Sequence, residues 1–556
     1  MSSFLTASFL AGLLCLGCLL FYYASIPKPL PGIPYVKGSE RRMFGDLPVA
    51  LAHERKTGLM FTYIRDNCIK LNAPVVQLFF RPFLKPWIAV CDGREAQDIM
   101  THRTREFDRS PLSGDLVRAH APQSQLPMLT NEQWRFNRLL VRDTMSPKFL
   151  ATIAATRAHV AGSDLVALWR EKTRLARART FDIKQDVLMA VVDVIWSATF
   201  GSAIQSCQTQ RRFLTGINQL AALAADDGDD SKLVDIPRCD PPAAYTALTA
   251  LFDSSIIPLK SPFGYYHHWL AMKVVPRLRR AMRIRDQLVQ ASIANAYKTF
   301  ADKASPKPDV VKSAVDLVVE REVASAAKEG RLPMQPAIGQ RIHDELCLFL
   351  SAGSTTMAEA ICWGLKRSGN RIPAHGGSDR GNGNPYLEAF MYESLRHGTN
   401  MEAHLRIALA DTQILGHYIP KGSNVILVVN GPSLTSPAMP VDETTRSPTS
   451  KASTKASTRQ WNQTDLDRFT PERWLAKSAS GETEFDPRAA PMQTFGAGPR
   501  FCFGQKFALL EMRIIYSLIL WNFELLPIHE SLADFQGVEV LTLQPKHVRV
   551  KLRELK

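Results

Sequence analysis

The sequence predicts a mainly α-helical fold with a smaller β region, preceded by one amino-terminal transmembrane helix. Three observations carry that expectation. Apolar residues recur at helical spacing over 131–196, 211–225, 269–300, 341–367 and 507–520. Short apolar runs at 75–90, broken by Pro82 and Pro86, read as strands, as does the tail, where Val548, Val550 and Leu552 alternate with Arg549, Lys551 and Arg553. Residues 4–23 carry no charged side chain and reach the length of about 20 residues that a helix needs to cross a bilayer.

No Lys or Arg precedes the apolar run, whereas Lys28, Arg41 and Arg42 follow it, which argues against a cleaved leader and places the body of the chain on the cytosolic side. Pro27, Pro29, Pro31 and Pro34, with Gly32, then forbid continued helix. They form an elbow that either orients the body against the membrane or simply stops the helix. The expected organisation is an anchor at 1–25, the elbow at 26–40 and one catalytic domain at 41–556, since no linker separates two self-sufficient apolar patterns.

With 45% hydrophobic residues the chain can bury a large core, so global disorder is excluded. The nine cysteines are scattered without repeated C-x-x-C pairs, which suggests neither a disulfide framework nor a structural zinc site and fits a reducing compartment. Cys15, Cys18, Cys68, Cys91, Cys207, Cys239, Cys347 and Cys362 read as small apolar residues without ligand context. The net charge of +15 points to anionic lipid or an acidic protein partner. Nucleic acid is not expected, because no aromatic-interleaved basic module accompanies the arginines at 174–179 and 277–285, which read as solvated helix faces. Two polar stretches, 369–385 and 444–459, read as surface loops, the second containing the near-repeat Lys-Ala-Ser-Thr-Lys-Ala-Ser-Thr.

One cysteine stands apart. Phe495-Gly-Ala-Gly-Pro-Arg-Phe-Cys502-Phe-Gly504 is a glycine-rich turn that delivers Cys502 just before an amphipathic helix beginning near Gln505. Glycines let the backbone approach a flat cofactor, and a helix start favours a thiolate. Taken alone, Cys502 could be a nucleophile or an inert core residue, and the inert reading is the one its residue type favours. The surrounding spacing, F-x-x-G-x-R-x-C-x-G through Phe495, Gly498, Arg500, Cys502 and Gly504, resembles the haem-binding signature of the cytochrome P450 family. That resemblance implies haem b with Cys502 as the axial thiolate of its iron, Arg500 on a haem propionate and Phe495 packed against the proximal ligand. It also implies a monooxygenase that inserts one atom of O2 into a small apolar organic substrate, with electrons from NADPH through NADPH–cytochrome P450 reductase.

Other landmarks of the family follow in order. Glu393 and Arg396 form an E-x-x-R pair on one helix face, and Arg473 in the later P-E-R segment completes the charge triad that the resemblance implies. Trp134 and Arg138, four residues apart, resemble the family's W-x-x-x-R pair at the propionates, and Arg406 resembles a further propionate arginine.

Residues 346–365 resemble the helix that crosses the oxygen side of the haem, with Gly353, Thr355 and Thr356 in its A-G-x-D/E-T signature. Thr356 takes the place of the family's threonine, whose hydroxyl binds dioxygen and relays protons. Thr355 stands where the family has Asp or Glu; Glu359, one turn onward on the same face, is the residue that could compensate. A second departure is the short connection at 366–385, where the family has at least one further helix. The resemblance spans the chain, and residues 411–433 with the insertion ahead of Trp461 are similar to filamentous-fungal, endoplasmic-reticulum members of secondary metabolism. Two alternatives remain open here: a reductase-independent haem-thiolate isomerase or dehydratase, and a haem-binding protein silenced by the short connection. Substrate identity is not legible, because the pocket walls come from segments such as 220–273.

Overall fold

The helical spacing read above becomes helix over most of its length. The computed structural model describes residues 2–217, 229–301, 311–368, 384–398, 401–456 and 465–555. The pocket-wall residues 220–228, the connection 369–383 and the insertion around Trp461 lie outside the described residues. The principal helices in chain order are α1 (Ser2–Ser25), α2 (Gly93–Thr101), α3 (Glu132–Val141), α4 (Ala155–Ala176), α5 (Lys184–Phe200), α6 (Ala243–Ser254), α7 (Pro276–Ala301), α8 (Pro336–Ser368), α9 (Pro385–His397), α10 (Pro448–Ala456) and α11 (Gln505–Asn522). The strands used below are β1 (Val75–Leu78), β2 (Trp87–Val90), β3 (Phe107–Arg109), β4 (Phe181–Asp182), β5 (Ala403–Ala408), β6 (Asn424–Val428), β7 (Phe523–Leu526) and β8 (Arg549–Glu554).

The chain divides into two compact units. The first, Met1–Ser110, Leu259–Phe263 and Glu402–Thr464, holds a five-stranded sheet in the order β1-β2-β6-β5-β3. Its strands pair antiparallel except β2 with β6. β1 and β2 are buried on both faces, which is why they read as unbroken apolar runs rather than alternating ones. Residues 7–24 of α1 are exposed. Gln77 on β1 pins the proline elbow: its Nε2 donates to the carbonyls of Leu30 and Ile33 at 2.9 and 2.7 Å, and its Oε1 accepts the Leu30 N–H at 2.8 Å.

The second unit, Pro111–Pro258, Gly264–Met401 and Asp465–Lys556, is the helical body. Its core is continuous through α4, α5, α8, α9 and α11, with α5 running along α8. A small sheet, β7-β8-β4, closes one side. Among the described residues two helices are long and apolar enough to cross a membrane, Ala7–Ser25 and α8; α8 is mostly buried in this core, whereas the amino-terminal one is not buried at all.

Several boundaries differ from the sequence reading for identifiable reasons. Of the helix expected at 211–225, residues 218–225 lie outside the described residues; the described helix is Ser206–Thr215, whose start is set from a distant residue, Asp193 of α5, which accepts the N–H groups of Ser206 and Cys207 at 3.0 and 3.2 Å. The helix expected at 269–300 is broken into Tyr265–Val274 and α7 by Pro276, which begins the second at a position where its missing N–H is harmless. The loop expected at 444–459 contains α10. Pro448 opens that helix, Ser447 Oγ accepts the Ser450 N–H at 3.0 Å, and Asp98 of α2 accepts the Ser447 and Thr449 hydroxyls at 2.6 and 3.0 Å. Arg285, expected on a solvated face, is buried; it donates to Asp286 Oδ1 and to the His120 carbonyl, both at 2.9 Å.

Candidate functional site

The turn before α11 is held by its own backbone. The Cys502 N–H donates to the Phe495 carbonyl at 2.8 Å, Phe501 N–H to Gly498 O at 3.1 Å, and Gly496 N–H to Gln493 O at 2.8 Å. Gly496 and Gly498 have φ of 67° and 66°, a left-handed conformation that a β-carbon disfavours, so glycine is required at both. Cys502 is exposed although Phe495 and Phe503 on either side pack into the core, and it precedes α11 by three residues. The positive end of that helix therefore lies beside the thiol.

Two guanidinium groups share one indole. Arg500 sits 4.7 Å over the Trp134 ring and Arg138 5.6 Å from it, while Arg138 also covers Phe503 at 4.6 Å and Phe501 at 5.4 Å. Trp134 and Arg138 reach this place because α3 starts at an Asn131 cap, whose side chain accepts the Trp134 N–H, and then carries both residues on one face. Arg500 donates to Met128 O at 2.9 Å, and Arg138 to Gln125 Oε1 at 3.3 Å. Burial draws the Arg138 pKa down, while the charges of Cys502 and Glu345 oppose that shift.

Behind the arginines lies a buried network that sequence reasoning missed. Glu345 of α8 accepts the Gln125 N–H at 2.5 Å, Gln125 Nε2 at 2.9 Å and Asn137 Nδ2 of α3 at 2.7 Å. Burial pushes its pKa up to about 7, and the donors from Gln125 and Asn137 moderate the rise. A carboxylate inside an apolar helical run was the signal available in the sequence.

The same helix presents its oxygen-side motif on two faces. Ala352 is exposed and Gly353 and Thr356 half-buried, on the side of Phe349, whose ring meets that of Phe507 on α11 at 6.0 Å. The Thr356 hydroxyl donates to the Ala352 carbonyl at 2.7 Å. A β-carbon at Gly353 would lie 2.6 Å from Ile195 Cδ1 of α5, so this glycine is demanded by helix packing. Thr355 is buried on the other face, where it lines a cleft with Glu359 and Cys362.

Glu393, Arg396 and Arg473 come together as the charge triad. Arg396 NH2 and Arg473 Nε donate to Glu393 Oε1 at 2.8 and 3.0 Å. Arg406 belongs to the first unit, on β5, where it is buried and donates to the Leu405 carbonyl at 3.1 Å; burial and the neighbouring Arg109 bring its pKa down to about 9. Gly504, the last signature glycine, has open space where a β-carbon would project.

Cys347 corrects the reading that it lacks ligand-like neighbours. Its Sγ lies 3.8 Å from His343 Nδ1, one turn back on α8, and Asp286 of α7 completes a group whose ligand atoms lie within 4.8 Å of one another. Both ring nitrogens of His343 already face carboxylates, Asp286 at 3.3 Å and Asp344 at 3.0 Å. Burial opposes its protonation, but those two partners raise its pKa to about 11, so the cluster is an imidazolium clamp between α7 and α8.

Residues 52–367 and 458–552 match the family model described as Cytochrome P450. The chain is 36% identical over 572 residues to Cytochrome P450 monooxygenase GME11363 of Pestalotiopsis microspora, covering 96% of this chain and 95% of that protein. It is 30% identical over 588 residues to Cytochrome P450 monooxygenase TRI13 of Fusarium sporotrichioides, covering 98% of each. With Cytochrome P450 monooxygenase xilC of Penicillium crustosum the identity is 28% over 567 residues, covering 95% of this chain and 93% of that protein.

Proposed function

The chain belongs to the cytochrome P450 family, whose haem b is held by a cysteine thiolate, and from that premise we propose a membrane-anchored monooxygenase in which Cys502 is the ligand. The observation that carries the proposal is the exposed Cys502 at the head of α11 with Arg138 and Arg500 stacked on Trp134 beside it. The residues fit the group: a thiol at a helix start, two cations suited to propionates, and a half-exposed helix face at Ala352 and Thr356. When bound, the haem supplies activation of dioxygen for insertion of one oxygen atom into an apolar organic substrate.

The chain's own residues have distinct tasks. The Cys502–Phe495 backbone bond and the left-handed glycines fix where the sulfur points, and the α11 terminus favours its anionic form. Arg138, Arg500 and Trp134 bind carboxylates as cations and an indole donor. Glu393, Arg396 and Arg473 hold α9 against the segment that leads to the cysteine turn. Thr356 offers a hydroxyl on the oxygen-side face. The apolar α1 supports a single-pass anchor in the endoplasmic reticulum, with the body facing the cytosol, and the basic surface, including exposed Arg277, Arg279, Arg280 and Arg283 of α7, suits lipid headgroups and an acidic NADPH–cytochrome P450 reductase. That the relatives are fungal monooxygenases suits the step in fungal secondary metabolism that the resemblance at residues 411–433 suggests.

The test is the carbon monoxide difference spectrum of the reduced, membrane-expressed protein, compared with Cys502→Ala. A thiolate-type Soret band present in the wild type and lost in the variant is expected; a wild type without the band overturns the reading. The rival reading, a reductase-independent isomerase or dehydratase, draws on Thr355 at the acid position and is separated by dependence of turnover on NADPH and O2.

A further inference from the structure

We propose that Glu359 holds the proton that this chain delivers toward the Thr356 face of α8, standing in for the carboxyl absent at position 355, and that the cleft under Thr355 reloads it from solvent. The inference rests on the monooxygenase reading above.

Glu359 is buried one turn past Thr355, and among the described residues neither carboxyl oxygen has a hydrogen-bond partner. Thr542 and Gln544 approach it without reaching hydrogen-bond geometry. A carboxylate without partners in such a place is strongly disfavoured, so the group is a neutral acid that keeps its proton. Burial raises its pKa to about 8, and Thr542, Lys184 and Gln544 only moderate that rise. An acid neutral at rest but able to ionise near physiological pH is suited to giving up and regaining a proton.

Access is built into the surroundings. A cleft of about 380 Å³ has Thr355 and Glu359 at its buried floor and the exposed Arg238 and Asp253 at its mouth. It is roomy and polar enough for water. The groups that face Glu359 are Lys184 of α5, Asp253 of α6, Asp182 of β4, Arg238, the uncharged Thr542 and Gln544, and Cys362 on its own helix, whose thiol burial keeps protonated. Lys184 favours the ionised carboxylate for the moment in which it has released its proton, and Asp253 at the mouth can pass one inward. Thr355 and Thr356 are adjacent in the chain, so a proton leaving Glu359 by way of the Thr355 hydroxyl and water emerges one residue from the hydroxyl on the oxygen-side face.

The balance closes without a further reactant. Substrate, O2, NADPH and H+ yield hydroxylated substrate, water and NADP+; NADPH supplies both electrons, the two protons that make the water with one oxygen atom are drawn through the acid, which each time regains one from solvent, and the hydrogen of the new hydroxyl is the one displaced from the substrate C–H bond. When delivery fails, the same electrons and protons leave as hydrogen peroxide.

The experiment uses the full-length chain with reductase. In Glu359→Gln the carbon monoxide spectrum should persist, while product formed per O2 consumed falls by about tenfold or more, hydrogen peroxide rises and the solvent isotope effect on product formation grows. Thr355→Asp added to Glu359→Gln should restore coupling. Infrared difference spectra of the substrate-free protein should show a protonated carboxyl band that bleaches as pH rises through about 8 and is absent from Glu359→Gln. A retained spectrum with unchanged coupling, or no carboxyl band assignable to Glu359, overturns the inference while leaving the monooxygenase reading intact. Loss of the Soret band in the wild type overturns that reading instead. If Glu359→Gln fails to assemble, Thr249→Trp, which fills the cleft from α6, carries the test: lost coupling supports the proposal and wild-type coupling overturns it.

Discussion

Trp474 donates its indole N–H to Glu393 Oε2 across 2.8 Å, on the same oxygen that Arg396 Nε reaches at 2.9 Å. The other oxygen, Oε1, takes Arg396 NH2, Arg473 Nε and the Thr470 N–H at 2.8, 3.0 and 2.8 Å. The triad is therefore a carboxylate that takes five donors within 3.0 Å, with His397 Nε2 a further 3.4 Å contact on Oε1, and the interactions with Arg396 and His397 outweigh burial and hold Glu393 well below the usual carboxylate range. Trp474→Phe keeps the ring and removes one donor; it should cost about 1–3 kcal/mol in urea or thermal unfolding. Glu393→Ala strands two guanidinium groups and should cost about 3–5 kcal/mol, if the chain still folds. Because the folded pKa is depressed, the contribution of Glu393 is present above its unfolded value of 4.5 and is lost as pH falls below it. Equal stability of Trp474→Phe and wild type would remove the indole from this account.

Gly353 makes a second test, because two explanations for the same glycine differ in what rescues its loss. Gly353→Ala puts a β-carbon 2.6 Å from Ile195 Cδ1 and 2.8 Å from Cγ1. Overpacking of that kind costs about 1–3 kcal/mol. Ile195→Ala removes the obstructing atoms, so the double variant should recover stability beyond the sum of the two single losses, as in a double-mutant cycle between touching residues. If Gly353 were needed only for room at the oxygen-side face, Ile195→Ala would rescue nothing.

How far such features can be read from sequence depends on whether the partners are local. Glu393 and Arg396 share a helix face three residues apart, and Trp134 and Arg138 four apart, so their pairing is visible in spacing; Arg473 was found only through resemblance. Trp474 and His397, which also address Glu393, have no pattern that marks them. The start of Ser206–Thr215 was illegible because Asp193 of another helix caps it, and α10 because Asp98 supplies the bonds that hold its first turn. Arg285 looked like its exposed neighbours along α7, and only the carbonyl of His120, far away in sequence, explains its burial. At Ser206–Thr215 and along α7 the local pattern was correct about helix and silent about the distant group that fixed its end or face, whereas at α10 it read a loop where Asp98 holds a helix.

Glu345 yields a pH prediction whose sign follows from its burial. The folded pKa is about 7 against an ordinary value of 4.5, so between those values the native chain keeps a proton that the unfolded chain has released. Stability from this group is full below 4.5 and is lost as pH rises through about 7. A rise of that size corresponds to about 3 kcal/mol at about 1.4 kcal/mol per unit. Glu345→Gln cannot ionise, so the difference in unfolding free energy between variant and wild type should grow in the variant's favour across this window, even though Glu359 and other groups titrate in both. The substitution also reaches the site. A glutamine amide in place of the oxygen that accepts Gln125 Nε2 obliges Gln125 to turn its own oxygen inward, away from Arg138, which it now accepts at 3.3 Å. Haem retention on dilution should therefore be weaker in Glu345→Gln than in wild type above pH 7, and alike in the two when Glu345 is protonated. Parallel stability curves and equal retention at every pH would show that Glu345 does not titrate in this window and that Gln125 does not link it to Arg138.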